Sequence, residues 1–490
     1  MQIRSFINIQ NNPKADFIFG LLAVNCLAAG YIFGFLKPGD IDTDGGIFAA
    51  VAMKDLSGGT LYLDAWENKP PGIFLLNELF LTLIPHKVYA LFSLAVFNML
   101  LTVNAFYFLL SRCIPSLTLR LLFSAAFILF TINNIYMGDG LYTEIPGTAL
   151  MIWSLYAFSA AHESKHNNLY YYSLILAGTS FWFKEPFIFL ALPVLIVLMR
   201  KSSPLRQKVL YLLAFAAPSL LFMLILVFKG SLAYYVHTLQ YNFGMSSIDN
   251  RWIGLLQLEK IFNEILLPLA LLTLFSAWLF YKSFTVRGER SLLILMALVT
   301  IGSLLFVIIS PHDFNHYNLP LIGMVFSACV VSAGIYKKVF KQSLMAMSIL
   351  LLVFIYRRDQ SGISAFTLYP ATYKPDKIAL QLQKNPGKTL FIDLVDASEY
   401  YVKGDMLYPT FLPVPIAAHF GDNEAGLKNR KRIFETLANH KPDFLITTET
   451  ASYMYWHSPD PLLYYGNYEK TDSLDARYGK KVILWKLKQH

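Results

Sequence analysis

The sequence predicts a polytopic α-helical membrane protein with about eleven transmembrane helices and a C-terminal soluble α/β domain. The chain has 490 residues, of which 55% are hydrophobic and only 15% are charged. A soluble protein of this length carries charge at about a quarter of its positions. Apolar stretches recur up to residue 356, and the composition becomes that of a globular domain after residue 371. Together these observations exclude a disordered chain, a fibrous protein and an ordinary soluble enzyme.

The predicted spanning helices follow from the length that a bilayer demands, roughly 20 mostly apolar residues. By that rule the spans lie at about 16–36, 87–111, 117–136, 141–161, 169–183, 186–199, 209–228, 261–281, 291–310, 317–335 and 343–356. The spans at 169–183 and 186–199 are short and are also compatible with one broken hairpin. The set defines a transmembrane module over residues 1–356.

The segments between the spans alternate in charge, which sets the predicted orientation. One set is strongly basic and includes Arg112, Lys201 and Lys338, whereas the opposite set is acidic on balance. Because short cytoplasmic loops carry the excess of Lys and Arg, the N-terminus is predicted to be cytoplasmic. Eleven spans place residues 357–490 outside, and an even number would reverse that side. The net charge of +9 therefore indicates contact with membrane lipids and not with nucleic acid.

Residues 357–490 are predicted to form an extracytoplasmic α/β domain. Helices are expected at 376–383 and 431–440, strands at 389–395 and 443–448, and a turn followed by a final strand within 468–487. Helix–strand alternation of this kind favours a small α/β domain. Since no glycine-rich phosphate loop follows its strands, we expect a packing or docking domain and no bound nucleotide.

The first outer loop, residues 37–86, contains an unusual group of acids. Asp40, Asp42 and Asp44 stand within five residues and are followed by two glycines. Such a cluster is costly unless it caps a helix, binds a cation or keeps one carboxylate poised as a base. Asp44 precedes an apolar segment that would form an interfacial helix, so it is a good candidate for the N-cap. Capping and catalysis are equally supported at this point.

Lys69 follows in the same loop, directly before Pro70 and Pro71. The two prolines stiffen the backbone and fix the direction in which Lys69 points. A lysine near a membrane surface commonly extends its amine to lipid headgroups. A lysine fixed close to an acid cluster is also what a phosphate leaving group needs.

This loop resembles that of the GT-C membrane glycosyltransferases that use polyprenyl-phosphate sugars. The resemblance is to the branch related to protein O-mannosyltransferases and the lipid A aminoarabinose transferase. The matching residues are Asp44, Phe48, Ala49, Gly59, Tyr62, Asp64, Trp66 and the segment NKPPG at 68–72. Looser matches are LYTEIPGTALM around Glu144, FKEPFIFLALP around Lys184 and HYNLPLI around His316 and Tyr317. The resemblance covers about residues 16–335 and implies that the transmembrane module is of the GT-C type.

The resemblance implies a role for each matching residue. Asp44 falls on the catalytic aspartate, with Asp42 as its rival, and Lys69 falls on the lysine that binds the donor phosphate. Glu144 is a further catalytic candidate. A purely structural role, as a carboxylate at a helix N-terminus, is equally supported for it. The secondary candidates for binding phosphate or sugar on the outer face are Lys184, Arg251, His316 and Tyr317. Their structural alternatives are an ion pair with the adjacent Glu185 for Lys184, an interface anchor for Arg251, and a helix end or aromatic belt for the other two.

The implied chemistry is a single displacement with inversion at the sugar carbon. The lipid phosphate of a polyprenyl-phosphate donor is already a good leaving group, so a base and a few cations suffice. We expect Asp44 to act as the base and Lys69 to hold the phosphate. The acceptor is expected to be a lipid, glycan or protein of the cell envelope, and the location a bacterial inner membrane.

No cofactor is expected to be required. The aminoarabinose transferase has a metal-binding glutamate directly before its lysine, whereas this chain has Asn68, with Glu67 one position earlier. That departure leaves a divalent metal open but argues against one.

Two other functional classes compete with this interpretation. A flippase or transporter of lipid-linked sugars would place polar groups near the membrane midplane on broken helices, often with inverted repeats, whereas the acids here gather in outer loops. An O-antigen-type polymerase or ligase would use arginines or histidines of a large outer loop. The segment 229–260 offers only Arg251 and His237 for that purpose.

Overall fold

The computed structural model of the chain describes most of its predicted transmembrane and C-terminal segments. The described residues are 13–132, 137–164, 167–201, 203–245, 274, 277–278, 281, 290–309, 315–335, 348, 372–393, 397–410, 413, 424–448, 466–475 and 481–488. The predicted spans at 261–281 and 343–356 lie almost wholly outside these residues.

The chain divides into two compact units, each of which combines three separate segments of the sequence. Unit 1 comprises Met1–Phe35, Val96–Leu220 and Ile248–Tyr369. Unit 2 comprises Leu36–Ala95, Leu221–Ser247 and Pro370–His490. Unit 2 thus combines the first outer loop with the C-terminal tail. The predicted division of the chain at residue 356 stays a prediction.

The helices appear where the apolar periodicity places them, together with additional ones in the outer loops and the tail. In chain order they are α1 (Pro13–Phe35), α2 (Thr43–Leu56), α3 (Pro71–Leu83), α4 (Lys87–Cys113), α5 (Leu117–Thr131), α6 (Glu144–Ser164), α7 (Asn167–Ser180), α8 (Ile188–Met199), α9 (Leu205–Phe228), α10 (Leu232–Met245), α11 (Arg290–Ile309), α12 (Leu319–Ile335), α13 (Lys377–Gln383), α14 (Glu399–Gly404) and α15 (Glu424–Asn439). Short 3-10 turns at Glu185–Phe187 and Asn315–Asn318 precede α8 and α12.

Five helices in the described part of the chain are long and apolar enough to cross a membrane: α1, α4, α9, α11 and α12 with the turn before it. Shorter apolar helices lie at α3, α5 and α8. In α9, Leu213, Leu220 and Leu224 are each exposed over about half their surface, as expected of a helix that faces lipid. The prediction of a polytopic helical membrane protein is confirmed, whereas the exact number of spans stays a prediction.

Aromatic and small residues pack the helices of unit 1. α6 packs against α7 and α12, and α11 packs against α8 and α12. Phe106 of α4 stacks on Phe127 of α5, with ring centroids 4.1 Å apart, and both rings contact Phe326 of α12 edge-on. This dense core fixes the helix ends, and with them any side chain that projects from a helix terminus.

The C-terminal part of unit 2 contains a four-stranded sheet, which confirms the predicted α/β domain. Its strands are β1 (Leu390–Ile392), β2 (Phe444–Thr448), β3 (Tyr468–Asp475) and β4 (Lys481–Leu487), in the order β1-β2-β4-β3. β1 and β2 are parallel, and the other two pairs are antiparallel. The sequence predicts a turn followed by a final strand within 468–487, and residues 468–475 differ from this prediction. They instead pair with β4 as an edge strand, where the hydrogen-bonding partner outweighs low strand propensity.

Candidate active site

The acid group of the first loop lies at the start of α2, where the structure shows which aspartate caps the helix. The backbone amide of Thr43 donates to the Asp42 carboxylate at 2.6 Å, and Asp42 has the extended backbone of an N-cap residue. The first helical bond runs from the Gly46 amide to the Asp42 carbonyl at 2.9 Å. Asp42, and not Asp44, is therefore the N-cap of α2. Asp42 occupies the N-cap position because the first residue of the helix is Thr43, directly after it.

Asp44 lies inside the first turn of α2 and is partly exposed. The positive end of the helix dipole favours an ionised carboxylate at this position. The two glycines after it allow the helix to approach the tail closely. A Cβ atom on Gly46 would stand 2.5 Å from the Ser398 Oγ, and the Ser398 hydroxyl donates to the Thr43 carbonyl at 2.7 Å. The helix end that carries Asp44 is thus held by the N-terminus of α14.

Lys69 lies at the other end of the loop, two residues before α3. Its amine donates to the Asn68 side-chain oxygen at 2.7 Å and stands 3.7 Å from the Glu67 carboxylate. The Lys69 side chain is 20% exposed, and the Glu67 carboxylate places an opposite charge near its amine.

The backbone around Lys69 is fixed by two side chains that the sequence alone does not single out for this role. The Tyr62 hydroxyl donates to the Lys69 carbonyl at 2.9 Å, and the Asn242 amide donates to the Asn68 carbonyl at 2.7 Å. Asn242 belongs to α10, a helix that sequence reasoning treated as an outer loop. No spacing signal links it to Lys69, because the two residues meet only through the fold of unit 2.

Unit 1 brings together four of the predicted site residues in a buried cluster. Glu144 begins α6 and forms an ion pair with Lys184, which precedes the 3-10 turn at Glu185–Phe187. The His316 Nε2 stands 4.0 Å from the Glu144 carboxylate. The Glu144 side chain is 1% exposed and the Lys184 side chain 8% exposed. Lys184 therefore pairs across 40 residues with Glu144, which the sequence treated as a separate candidate.

Aromatic rings complete this buried cluster. The Lys184 amine stands 3.4 Å from the centroid of the Tyr317 ring, in cation–π contact. The His316 ring stacks on Tyr142, with centroids 4.1 Å apart, and the Thr143 hydroxyl donates to Glu144 at 3.0 Å. Tyr142 and Thr143 were not predicted as site residues, although both belong to the segment LYTEIPGTALM. Their position directly before Glu144 is the signal that could have identified them.

The predicted site residues are thus distributed over two groups. Asp42, Asp44 and Lys69 belong to the first group, called here the loop site, in unit 2. Glu144, Lys184, His316 and Tyr317 form the second, called here the buried cluster, in unit 1. Arg251 lies outside the described residues.

The side chains next to Lys69 do not form a set of metal ligands. Asn68 gives its side-chain oxygen to the Lys69 amine, and Glu67 faces the same amine. Among the described residues no group of three or more His, Cys, Asp or Glu side chains is placed to hold a metal ion. The expectation that no cofactor is required stays a prediction.

Comparison with known proteins identifies the fold and the enzyme class. Residues 68–228 match the family described as dolichyl-phosphate-mannose-protein mannosyltransferase. This segment begins at the NKPPG motif and includes Glu144 and Lys184. No curated protein matches the chain in sequence.

Two solved membrane enzymes share the fold over nearly the whole chain. ArnT from Cupriavidus metallidurans in the apo state is similar with a TM-score of 0.57 at 13% sequence identity, over 96% of this chain and 98% of that one. The Archaeoglobus fulgidus oligosaccharyltransferase in the apo form is similar with a TM-score of 0.52 at 10% identity, over 94% of this chain and 73% of that one. Both have the GT-C fold, so the predicted GT-C fold is confirmed. With the family match, this makes the chain a membrane glycosyltransferase of the GT-C type, as predicted.

Proposed function

We propose that this membrane glycosyltransferase moves a sugar from a polyprenyl-phosphate donor to a lipid, glycan or protein of the bacterial cell envelope. The reaction takes place on the outer face of the inner membrane. The acceptor oxygen forms a bond to the anomeric carbon while the bond from that carbon to the phosphate oxygen breaks. The acceptor proton goes to Asp44, and the polyprenyl phosphate leaves with its charge held by Lys69. A single displacement of this kind inverts the configuration at the sugar carbon.

The observation that carries the proposal is the division of roles between two aspartates. Asp42 takes the N-cap of α2, so the capping explanation does not apply to Asp44. Asp44 remains partly exposed in the first helical turn, where a substrate hydroxyl can reach it. A positioned general base contributes typically 10²- to 10⁴-fold to the rate.

Lys69 supplies the charge that the leaving phosphate needs. Its amine is held by neutral and acidic neighbours and stays partly exposed, while its backbone is fixed at two successive carbonyls. A cation placed in advance stabilises developing negative charge without reorganisation during the reaction. This supports the phosphate role for Lys69 over a merely lipid-facing one.

The buried cluster is assigned a fixed electrostatic role. Glu144 is paired with Lys184 and lies near His316, so it is poorly placed to accept a proton from an acceptor hydroxyl. We assign Glu144 to hold Lys184 and His316. The Lys184 amine then presents positive charge, and the His316 ring an aromatic surface, to phosphate or sugar. Arg251 remains a proposed further phosphate ligand on the sequence resemblance alone.

The packing within unit 2 supports the proposed side of the membrane. The Lys54 amine donates to the Tyr408 carbonyl at 3.0 Å, and the Arg432 guanidinium donates to the Leu63 carbonyl at 3.2 Å. The tail and the first loop therefore lie on the same face. The charge bias of the sequence makes that face the outer one. Protease added from outside should cut the tail, whereas cutting from the cytoplasm alone would reverse the orientation.

The function is tested by sugar transfer in liposomes, with a panel of polyprenyl-phosphate sugars and envelope acceptors. Asp44→Asn should lower kcat by about 10²- to 10⁴-fold. Asp42→Asn is the matched control, because asparagine is as good an N-cap as aspartate. It should keep kcat within about threefold of the wild type, since it leaves the backbone geometry unchanged.

Four results would overturn parts of this proposal. Full activity in Asp44→Asn would remove the base, and equal losses in the two variants would return both aspartates to a structural role. Retention of the sugar's configuration in the product, read by NMR, would exclude the single displacement. Transfer of a preassembled glycan alone would favour the polymerase or ligase alternative.

A further inference from the structure

We infer that Tyr62 is a positioning residue for Lys69, held in a strained backbone conformation so that its hydroxyl fixes the lysine backbone. The inference rests on the proposed function, since it gives Lys69 the donor phosphate. In the proposed reaction Tyr62 contacts neither the acceptor oxygen nor the anomeric carbon, and it acts through Lys69.

The first observation is the backbone of Tyr62. Its φ angle is +67°, in the left-handed region that residues with a bulky side chain rarely occupy. A glycine would adopt this angle without strain, and two glycines stand close by at positions 58 and 59. Strained residues of this kind cluster where surrounding contacts hold a functional geometry.

The second observation is what holds Tyr62 there. Its backbone amide donates to the Ala65 carbonyl at 2.9 Å, which closes a tight turn in the loop. Its ring packs edge-on against Phe74, with centroids 6.0 Å apart, and lies 5.1 Å from the ring of Tyr235. Only 3% of the residue is exposed. The turn and the two rings together aim the Tyr62 hydroxyl in one direction.

The third observation is the target of that hydroxyl. It donates to the carbonyl of Lys69 at 2.9 Å, seven residues further along the chain. The next residue is Pro70, whose fixed φ angle transmits the position of this carbonyl directly to the start of α3. The Lys69 amine is thus attached to a backbone that has little freedom to move. This arrangement reduces the conformational entropy that Lys69 loses when it binds an anion.

The test replaces the hydroxyl and keeps the ring. Tyr62→Phe should raise the KM for the polyprenyl-phosphate sugar roughly three- to tenfold, the equivalent of one lost hydrogen bond, with kcat within about twofold. Tyr468→Phe is the matched control, because the Tyr468 hydroxyl also donates to a backbone carbonyl, that of Pro442, at 2.8 Å. This control should leave KM unchanged.

A double-mutant cycle separates positioning from a general structural effect. In a Lys69→Met background, Tyr62→Phe should change the KM by less than about 1.5-fold, because the effect passes through the lysine. An equal fold-change in both backgrounds would overturn the inference, and so would a wild-type KM for Tyr62→Phe.

A chemical readout keeps this inference separate from the proposed function. The rate at which a water-soluble amine reagent labels Lys69, followed by peptide mass spectrometry, should change at least threefold in Tyr62→Phe and stay constant in Tyr468→Phe. If the wild type transferred no polyprenyl-phosphate sugar, the proposed function would fail, and this labelling rate would still decide the role of Tyr62. An unchanged rate would show that Tyr62 does not position Lys69.

Discussion

The loop site and the buried cluster each contain a carboxylate and a lysine, but they differ in burial and pairing. In the loop site, the Lys69 amine stands 3.7 Å from the carboxylate of the neighbouring Glu67. The Lys69 side chain is 20% exposed and the Glu67 side chain 16% exposed. In the buried cluster, Glu144 and Lys184 are in direct contact and almost fully buried. A partly exposed acid can exchange its proton at little structural cost, whereas a buried pair keeps both charges fixed because separating them is expensive. The difference supports our proposal that proton transfer belongs to the loop site and fixed charge to the buried cluster.

The largest effect is expected from breaking the buried pair. Glu144→Gln leaves the Lys184 charge buried without its carboxylate and should cost about 3–5 kcal/mol of stability. Glu163→Gln is the matched control, because Glu163 pairs with Arg112 at 3.2 Å in a more exposed position. It should cost less than about 1 kcal/mol. Thermal unfolding in detergent measures both variants, and equal losses would show that burial does not distinguish the two pairs.

The pairing in the buried cluster marks the limit of what the sequence could predict. Glu144, Lys184 and His316 were each identified from short motifs that resemble those of a glycosyltransferase family. Their contact depends on how α6, the turn before α8 and the turn before α12 meet. Neither hydrophobic periodicity nor charge pattern carries information on that packing.

Dependence on packing between distant segments also explains where other predictions from the sequence differ from the structure. The spans and the α/β domain followed from apolar length and alternation, which depend on local sequence. The sequence offered Asp44 as a candidate for the cap of α2, with catalysis as its equal alternative, and the structure places the cap at Asp42. Two aspartates two residues apart are equally good caps, so only the helix start decides between them. β3 was missed because its pairing with β4 compensates for polar residues that disfavour a strand on their own.

The second prediction tests how firmly the tail holds the loop site. Gly46→Ala would bring a methyl group to 2.5 Å from the Ser398 Oγ and 2.7 Å from the Glu399 amide. The backbone must shift to relieve this overlap, at a cost of about 1–3 kcal/mol. Gly30→Ala is the control, because a Cβ atom there meets nothing within 4 Å. A Gly46→Ala variant with wild-type stability and transfer rate would show that α14 does not position α2.

The third prediction uses another acid–lysine group of unit 2, in which Lys229 pairs with two acids of the first loop and which stands between the two regions in burial. The Lys229 amine donates to Glu78 at 2.9 Å and also pairs with Asp55. Burial, together with the neighbouring Asp55, raises the pKa of Glu78 to about 8 despite the opposing effect of Lys229. Glu78 lies in α3, which has 13 residues and is too short to span a membrane.

A raised pKa sets the sign of the pH dependence. The stability that Glu78 contributes is fully present below pH 4.5 and is lost as the pH rises through about 8. The unfolding temperature should therefore fall over this window, by the equivalent of about 1–2 kcal/mol once solvent screening is allowed for. Lys229 does not oppose this trend, because its own pKa is raised from 10.5 and lies above the window. Glu78→Gln should flatten the curve, and an equally steep fall in that variant would assign the pH dependence to other groups.

The smallest effect is expected at the N-cap itself, and it bears most directly on the comparison. Asp42→Ala removes the acceptor for the Thr43 amide and should cost about 1 kcal/mol, with a small fall in unfolding temperature. The transfer rate should change far less than in Asp44→Asn, because α2 is also held through Ser398 at its N-terminus. Parallel measurements of unfolding temperature and kcat should therefore separate two aspartates that stand two positions apart. A loss of kcat in Asp42→Ala as large as that in Asp44→Asn, at unchanged stability, would place the base at Asp42.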